Sequence, residues 1–187
     1  IIAYSIKAAL LSGVFDEVMV STDDEEIAAV AREYGAVVPF FRSAATSNDF
    51  ASTADVILEV LGKYAEIDVH FDIVACIYAT APFLSVETIK KGMDAIKQNG
   101  YDSAFTCVEF SYPILRSMII DKNNRISMKW PEYQLSRSQD LEKFYHDAGQ
   151  YYVSKTDNYI EHKAFCGNNT APLILSELSV QDLDTET

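Results

Sequence analysis

The sequence predicts a doubly wound α/β fold, and three observations carry that expectation. Apolar, β-branched runs alternate with stretches of helical periodicity along most of the chain. Several of those runs are nearly continuous in hydrophobicity, as parallel strands covered on both faces must be. The first run passes into an acidic helix start, and a glycine then returns the chain to a second apolar run, which is the order of a βαβ unit. With 187 residues, 49% of them hydrophobic and 12% aromatic, the chain is long enough for one domain with a sizeable core.

Taken in order, the chain opens inside a helical pattern whose apolar side includes Ile2, Ile6, Ala9 and Leu10, with Gly13 placed to end it. No initiator Met and no strand precede it, so a first element not included in this chain is expected. Residues 17–21 (EVMVS) read as a strand running into the helix start at Thr22, Asp23 and Asp24, where hydroxyl and carboxylate groups can cap free N–H groups. Gly35 closes that helix, and residues 36–41 read as the next strand. A polar loop over 44–52 follows, then a helix that Ser52 or Thr53 can cap, with an apolar stripe of Val56, Ile57, Val60, Leu61 and Tyr64.

Residues 72–78 (DIVACIY) form the next apolar strand, leading through the turn at 78–82 into an amphipathic helix over 85–99 that Gly100 stops. After the strand at 102–109 the pattern changes. Residues 114–121 and 125–130 alternate around Lys122, Asn123 and Asn124, as a hairpin does, and 131–147 shows no clear period. Strand character resumes over 148–154, a short helix starts near Thr156, and an apolar run over 172–178 leads to Asp182 and Asp184. Ligands of a doubly wound sheet sit outside the carboxyl ends of its strands. That places the candidate ends at 21–24, 42–53 and 78–82.

Asp182 and Asp184 are the late feature that asks for chemistry. On extended backbone, side chains two apart share a face, roughly 6 to 7 Å apart at Cα. Their repulsion is about 2.5 kcal/mol at an effective dielectric near 20 and about 0.6 kcal/mol in water, so a half-buried pair asks for a cation and an exposed pair does not. Hard oxygen ligands suit Mg²⁺; the alternative is an acidic surface loop. A formal charge of −13 argues against a nucleic-acid backbone or an anionic membrane as partner. Cys76, Cys107 and Cys166 have no metal-ligand spacing and read as free thiols of a reducing compartment. No signal peptide or long apolar run is found, so a cytoplasmic location is expected.

Seven segments in order, VSTDDEEIAAVAREYGA (20–36), RSAATSNDFASTADVI (42–57), IYATAP (77–82), YDSAF (101–105), RSQD (137–140), HDAGQYY (146–152) and VQDLDT (180–185), resemble the CMP-sialic acid synthetase family of cytidylyltransferases. FSYPI (110–114), RSQD and YHDAGQYY (145–152) look most like its pseudaminic acid branch. The resemblance implies a Rossmann-like, glycosyltransferase-A-like nucleotidyltransferase domain over 1–187, three-layered α/β/α with a mainly parallel sheet. It also implies a homodimer, with 110–147 as a hairpin extension for dimerisation and sugar specificity. The reaction implied joins CTP to a nine-carbon α-keto sugar acid with release of pyrophosphate.

Carried over by motif, Asp23, Arg42, Ser52, Thr53, Tyr78, Thr80 and Pro82 would meet the nucleotide. Arg137, Gln139, His146, Gln150 and Tyr152 would meet the sugar acid, and Asp182 and Asp184 would hold Mg²⁺, with His146 joining them in catalysis. The resemblance has three departures: the Gly-Ser-Lys-Arg-type phosphate loop should precede Ile1, Tyr78 stands where sialic-acid members usually carry Gln, and His146 stands where Arg is common.

Each of these residues has a plainer reading. Asp23, Asp24, Ser52 and Thr53 serve as helix caps, Arg42 as a surface ion pair, Arg137 as an interface ion pair, and His146 as a hydrogen-bonded structural residue beside the Asp147 carboxylate. Of Tyr151 and Tyr152, which alternate across a strand, at most one faces a pocket. Two rival functions stay open: activation of a sialic or legionaminic acid, and a noncatalytic nucleotide- or sugar-binding module.

Overall fold

The computed structural model describes residues 1–180; Asp182 and Asp184, and with them the expected metal pair, lie outside the described residues. Helix α1 (Ile2–Ser12) ends at Gly13, whose φ of 65° is the left-handed conformation that glycine adopts without penalty. Asp24 caps α2 (Glu25–Glu33), its carboxylate accepting from the N–H groups of Glu26 and Ile27. Ser52 and Asp55 form a reciprocal capping box at α3 (Thr53–Ala65), and Ser85 caps α4 (Val86–Lys97). Each such cap stabilises its helix by about 1 kcal/mol.

The central sheet has four strands in the order β1 (Ile73–Ile77), β5 (Tyr145–Lys155), β2 (Ser103–Glu109), β6 (Thr170–Leu175). Strands β2 and β6 pair parallel, and β5 pairs antiparallel with both β1 and β2. Three strands therefore share one direction and β5 opposes them, which makes the sheet mixed. The runs at 17–21 and 36–41, expected as strands, reduce to one parallel bridge between Met19 and Val37, with Val20 N–H on the Val37 carbonyl and Val37 N–H on the Val18 carbonyl. Few ladder bonds form there because each run pairs only with the other.

Tyr151 and Tyr152 point to opposite faces of β5, and each face has its own cover. On one face, fully buried Tyr151 and Val153 pack with Ile89, Ala104 and Leu173 under α4. Burying a side chain of that size stabilises the fold by about 1.5–3 kcal/mol. Gly92 lets α4 approach this closely: a Cβ there would stand 2.5 Å from the Tyr151 ring. On the other face, α5 (Thr156–His162) brings Tyr159 against Phe165, which in turn packs on Tyr152. A second cluster joins Ile6 of α1 to Ala28 and Ala31 of α2 and to Ala36 and Val38.

Between β2 and β5 the chain leaves the sheet. Its two short strands, β3 (Met118–Ile120) and β4 (Ile126–Met128), pair only with each other. They are shorter than the expected runs of 114–121 and 125–130, since Ile114–Arg116 is a 3₁₀ turn and Pro131–Tyr133 another.

Candidate active site

Strands β1, β2 and β6 finish at the same end of the sheet where β5 begins. This end gathers the turn after Ile77, the start of the excursion at Phe110, the Tyr145–Gln150 stretch and the segment after Leu175. What shapes it is an irregularity in β5. Between the pairs Phe105↔Tyr152 and Cys107↔Asp147, β2 advances two residues while β5 advances five. The surplus backbone bulges, with Gly149 at φ 64°. Thr106, fully buried, repairs the ladder at the bulge: its hydroxyl accepts from Tyr151 N–H at 3.1 Å and donates to the Tyr151 carbonyl at 3.2 Å.

A chain of contacts crosses this end. The Thr53 and Tyr78 hydroxyls lie 3.4 Å apart, and the Tyr78 and Tyr152 ring centroids 5.3 Å apart. The Tyr152 hydroxyl donates to Asp147 Oδ1 at 2.7 Å, and the same oxygen accepts Gly149 N–H at 2.8 Å. Burial, then the Asp147 carboxylate, holds the Tyr152 phenol far above its ordinary pKa, so it stays a proton donor to Asp147. The Gln150 carbonyl accepts Tyr78 N–H at 3.0 Å, and Gln150 Nε2 donates to the Ser179 carbonyl at 2.8 Å.

His146 sits 4.7 Å from the Phe110 ring, centroid to centroid, and its Nδ1 lies 2.8 Å from the Asp147 carbonyl oxygen. A carbonyl only accepts, so Nδ1 is the donor in this contact. The Asp147 carboxylate is engaged by Tyr152 and Gly149. Phe110 also lines a small hollow of about 240 Å³ with Val108, Glu109, Ser111, Leu175 and Glu177.

Thus Thr53, Tyr78, Gln150 and Tyr152 are joined contact by contact, and His146 lies on the same strand. The other expected site residues stand apart from that chain of contacts. Arg42 donates from Nε to Ser21 Oγ at 3.1 Å and from its other nitrogen to the Ser21 carbonyl. Asp23 is exposed beside the Asp24 cap, and Ser52 is engaged by Asp55. Thr80 is exposed and Pro82 half-buried in the turn beyond Tyr78. Arg137 pairs with Asp140 at 2.7 Å, and Gln139 is exposed on the Ser138–Asp140 turn.

One organising residue escaped the sequence reading, and another was read only as a neighbour of His146. Glu59 accepts from Ser43 N–H at 2.8 Å, from Ser43 Oγ at 2.9 Å and from the Thr46 hydroxyl, and pairs with Lys63 at 2.7 Å. Burial opposes its charge, yet the bonds from Lys63, Thr46 and Ser43 prevail and hold the carboxyl down at about 2. Asp147 is the other, and its signal was present: Asp-x-Gly is an Asx-turn pattern, here interrupting a strand. The thiols take no part in this network, since burial pushes Cys76 up to about 12 and raises Cys107 as well, while Cys166 is exposed.

A mixed α/β sheet, three strands sharing one direction, with hydroxyl, aromatic and carboxylate groups converging at its strand ends describes a nucleotidyltransferase-type domain. The family model described as Cytidylyltransferase matches residues 1–183, and the chain belongs to that family. It is 40% identical over 188 residues, 99% of this chain and 80% of the relative, to a pseudaminic acid cytidylyltransferase of Campylobacter jejuni subsp. jejuni serotype O:2. A CMP-N,N'-diacetyllegionaminic acid synthase of Legionella pneumophila is 33% identical over 99% of this chain and 80% of its own length. Among solved structures, CMP:2-keto-3-deoxy-manno-octonic acid synthetase complexed with CTP aligns with TM-score 0.61 at 16% identity, covering 93% of this chain and 79% of that one. The 4-diphosphocytidyl-2C-methyl-D-erythritol synthase of Anaerococcus prevotii aligns with TM-score 0.63 at 12% identity over 99% of this chain and 80% of that one. Both likenesses speak for the fold.

Proposed function

We propose that this chain transfers a cytidylyl group from CTP to pseudaminic acid, a nine-carbon α-keto sugar acid, giving the CMP-sugar and pyrophosphate. The observation that carries this reading is the 40% identity to the Campylobacter jejuni relative along 99% of the chain. The sugar's anomeric hydroxyl oxygen bonds to the α-phosphorus, the bond from that phosphorus to the bridging oxygen breaks, and pyrophosphate leaves with the electron pair. The hydroxyl proton goes to His146 Nε2, the ring nitrogen left free by the Nδ1 bond to Asp147. Thr53 and Tyr78 offer adjacent hydroxyls to the nucleotide, and Tyr152, Asp147 and Gln150 border the sugar.

Mg²⁺ fits this chain through the donor chemistry of its last residues. Among the described residues no group of three His, Cys, Asp or Glu side chains is placed to hold a metal ion. The described carboxylates at this end are engaged: Asp147 by Tyr152 and Gly149, Glu177 by Ser111 at 2.6 Å, and Glu109 by Lys143 at 3.0 Å. Asp182 and Asp184 supply two hard carboxylates directly after Val180 and would hold the ion. When bound, Mg²⁺ neutralises charge on the phosphate oxygens.

A homodimer accords with the apolar hairpin, where Met118, Ile120 and Ile126 are 60–67% exposed. Free thiols at Cys76, Cys107 and Cys166 accord with a cytoplasmic setting. No helix among the described residues is long and apolar enough to cross a membrane.

The test is pyrophosphate release by the full gene product with CTP and, in turn, pseudaminic, legionaminic and N-acetylneuraminic acid. Preferred turnover of pseudaminic acid is expected. Preference for legionaminic acid would move the assignment to the class of the Legionella relative. CTP binding without turnover of any sugar would replace the enzyme with a binding module.

A further inference from the structure

Arg42 stands directly after the run 36–41, and the chain on either side of it is held by one turn of α3. Before it, the Phe41 carbonyl accepts from Lys63 Nζ at 2.6 Å. After it, the Ser43 N–H and hydroxyl donate to Glu59 at 2.8 and 2.9 Å, and the buried Thr46 hydroxyl donates to the same carboxylate. Glu59 and Lys63 are four residues apart on the helix and pair with each other at 2.7 Å, their side chains only 14% and 26% exposed. The N–H of Arg42 itself donates to the Thr22 carbonyl at 2.8 Å, and its half-buried side chain is turned onto Ser21.

An ion pair so far withdrawn from water gains little net stability over an apolar pair of the same volume. What it provides here is geometry. Each partner offers a charge to the backbone of a different neighbour of Arg42, carboxylate to N–H and ammonium to carbonyl, and charge-assisted bonds are the stronger kind. Lys63 is further fixed over the Phe40 ring, 5.0 Å from its centroid, and Phe40 packs edge-on against buried Tyr64 of the same helix. The run that leads to Arg42 joins its neighbour through the single bridge Met19–Val37 rather than a ladder, so its end is fixed chiefly through α3.

We propose that Glu59 and Lys63 form a clamp that positions Arg42 against a bound nucleotide. Both are positioning residues, acting through Arg42 and not by touching CTP. The proposal rests on the reading of Arg42 as a nucleotide contact and needs nothing from the sugar side. A loosened clamp weakens the hold on CTP equally before and during the reaction, which raises KM and leaves kcat in place.

A double-mutant cycle on CTP affinity tests this, with the full gene product titrated calorimetrically in Mg²⁺ without a sugar acid. Glu59→Gln keeps the volume and removes the charge; it is expected to raise the Kd for CTP about five- to tenfold, the worth of one hydrogen bond. Lys63→Met keeps the stem over Phe40 and removes the donor to Phe41, with an expected rise of about two- to fivefold. Arg42→Ala is expected to raise the Kd about tenfold or more, and adding Glu59→Gln to it should change the Kd by less than about twofold. In pyrophosphate release, Glu59→Gln should raise KM for CTP with kcat within about twofold of wild type. Equal weakening by Glu59→Gln with and without Arg42 would make Glu59 a structural residue and overturn the proposal. Wild-type affinity in both clamp variants, failure of both to fold, or a fall in kcat at unchanged KM would overturn it as well. Wild-type affinity in Arg42→Ala would instead remove the premise that Arg42 meets the nucleotide, and the clamp with it. Absence of CTP binding by the wild-type protein would sink the proposed function itself.

Discussion

At one end of the central sheet, Gln150, Tyr78, Tyr152, Asp147 and His146 are linked in a chain of hydrogen bonds and ring contacts, and a hollow of about 240 Å³ is lined by Phe110, on which His146 packs, with Glu109 and Glu177. At the other end, a groove of about 760 Å³ runs between α3, the start of β1, the end of α4 and α5, walled by Leu58, Leu61, Phe71, Ile73, Ile96 and Ile160. The larger space is the poorer candidate for chemistry. Of its lysines, Lys155 is already spent on Asp102 at 2.7 Å, and its walls are chiefly apolar. Convergent polar groups, rather than volume, distinguish the end where strands β1, β2 and β6 finish.

The comparison can be broken most directly through its strongest element. Asp184→Ala in the full gene product is expected to lower Mg²⁺-dependent pyrophosphate release a hundredfold or more while circular dichroism stays that of the wild type; ordinary activity would refute the proposed metal pair. Gly92→Ala adds a methyl group against Tyr151 and is expected to destabilise by about 1–3 kcal/mol in urea unfolding, although alanine favours helix. An unchanged midpoint would mean that the α4 face is looser than its contacts indicate.

Glu59→Gln sharpens the contrast at the loop of residues 43–46, with an expected loss of about 1–2 kcal/mol at neutral pH. The carboxyl is depressed from 4.5 to about 2 in the folded protein, so its contribution is complete above pH 4.5 and is lost as pH falls toward 2. Wild type and variant should therefore converge in stability across that window, and parallel curves would contradict the assignment. Least effect is expected at the far groove: Ile160→Lys should leave turnover within twofold and stability within about 0.5 kcal/mol. A marked loss of activity there would give the apolar groove a role.

Local chemistry was the legible part of the fold. Gly13, Asp24, Ser52 and Ser85 end or begin helices for reasons contained in their own side chains, and the helix periods followed from burial on one face. Strand direction was not legible, because alternation and hydrophobicity are the same for a strand running either way; the reversal of β5 is decided by its partners. Tyr145, His146 and Asp147 belong to β5 yet are exposed, so nothing in their composition announced a strand.

The candidate site divides similarly. Tyr78, Gln150 and Tyr152 carry the motif and stand in contact, whereas Glu59 drew no notice in the sequence because its partners Ser43 and Thr46 lie on a loop that only folding brings onto it. Arg137 shows the reverse: the RSQD motif that names it also contains Asp140, three residues on, and the carboxylate of that residue occupies it.

The unequal thiols give this molecule a ready reporter. Cys76 and Cys107 are held protonated by their surroundings, so a maleimide dye at neutral pH reacts at exposed Cys166 alone among the three. Its neighbour Phe165 packs on both Tyr152 and Tyr159, which places the fluorophore one residue from an aromatic cluster that includes Tyr152, proposed to border the sugar. Emission from a single wild-type cysteine could then follow occupancy of that end without any engineered substitution.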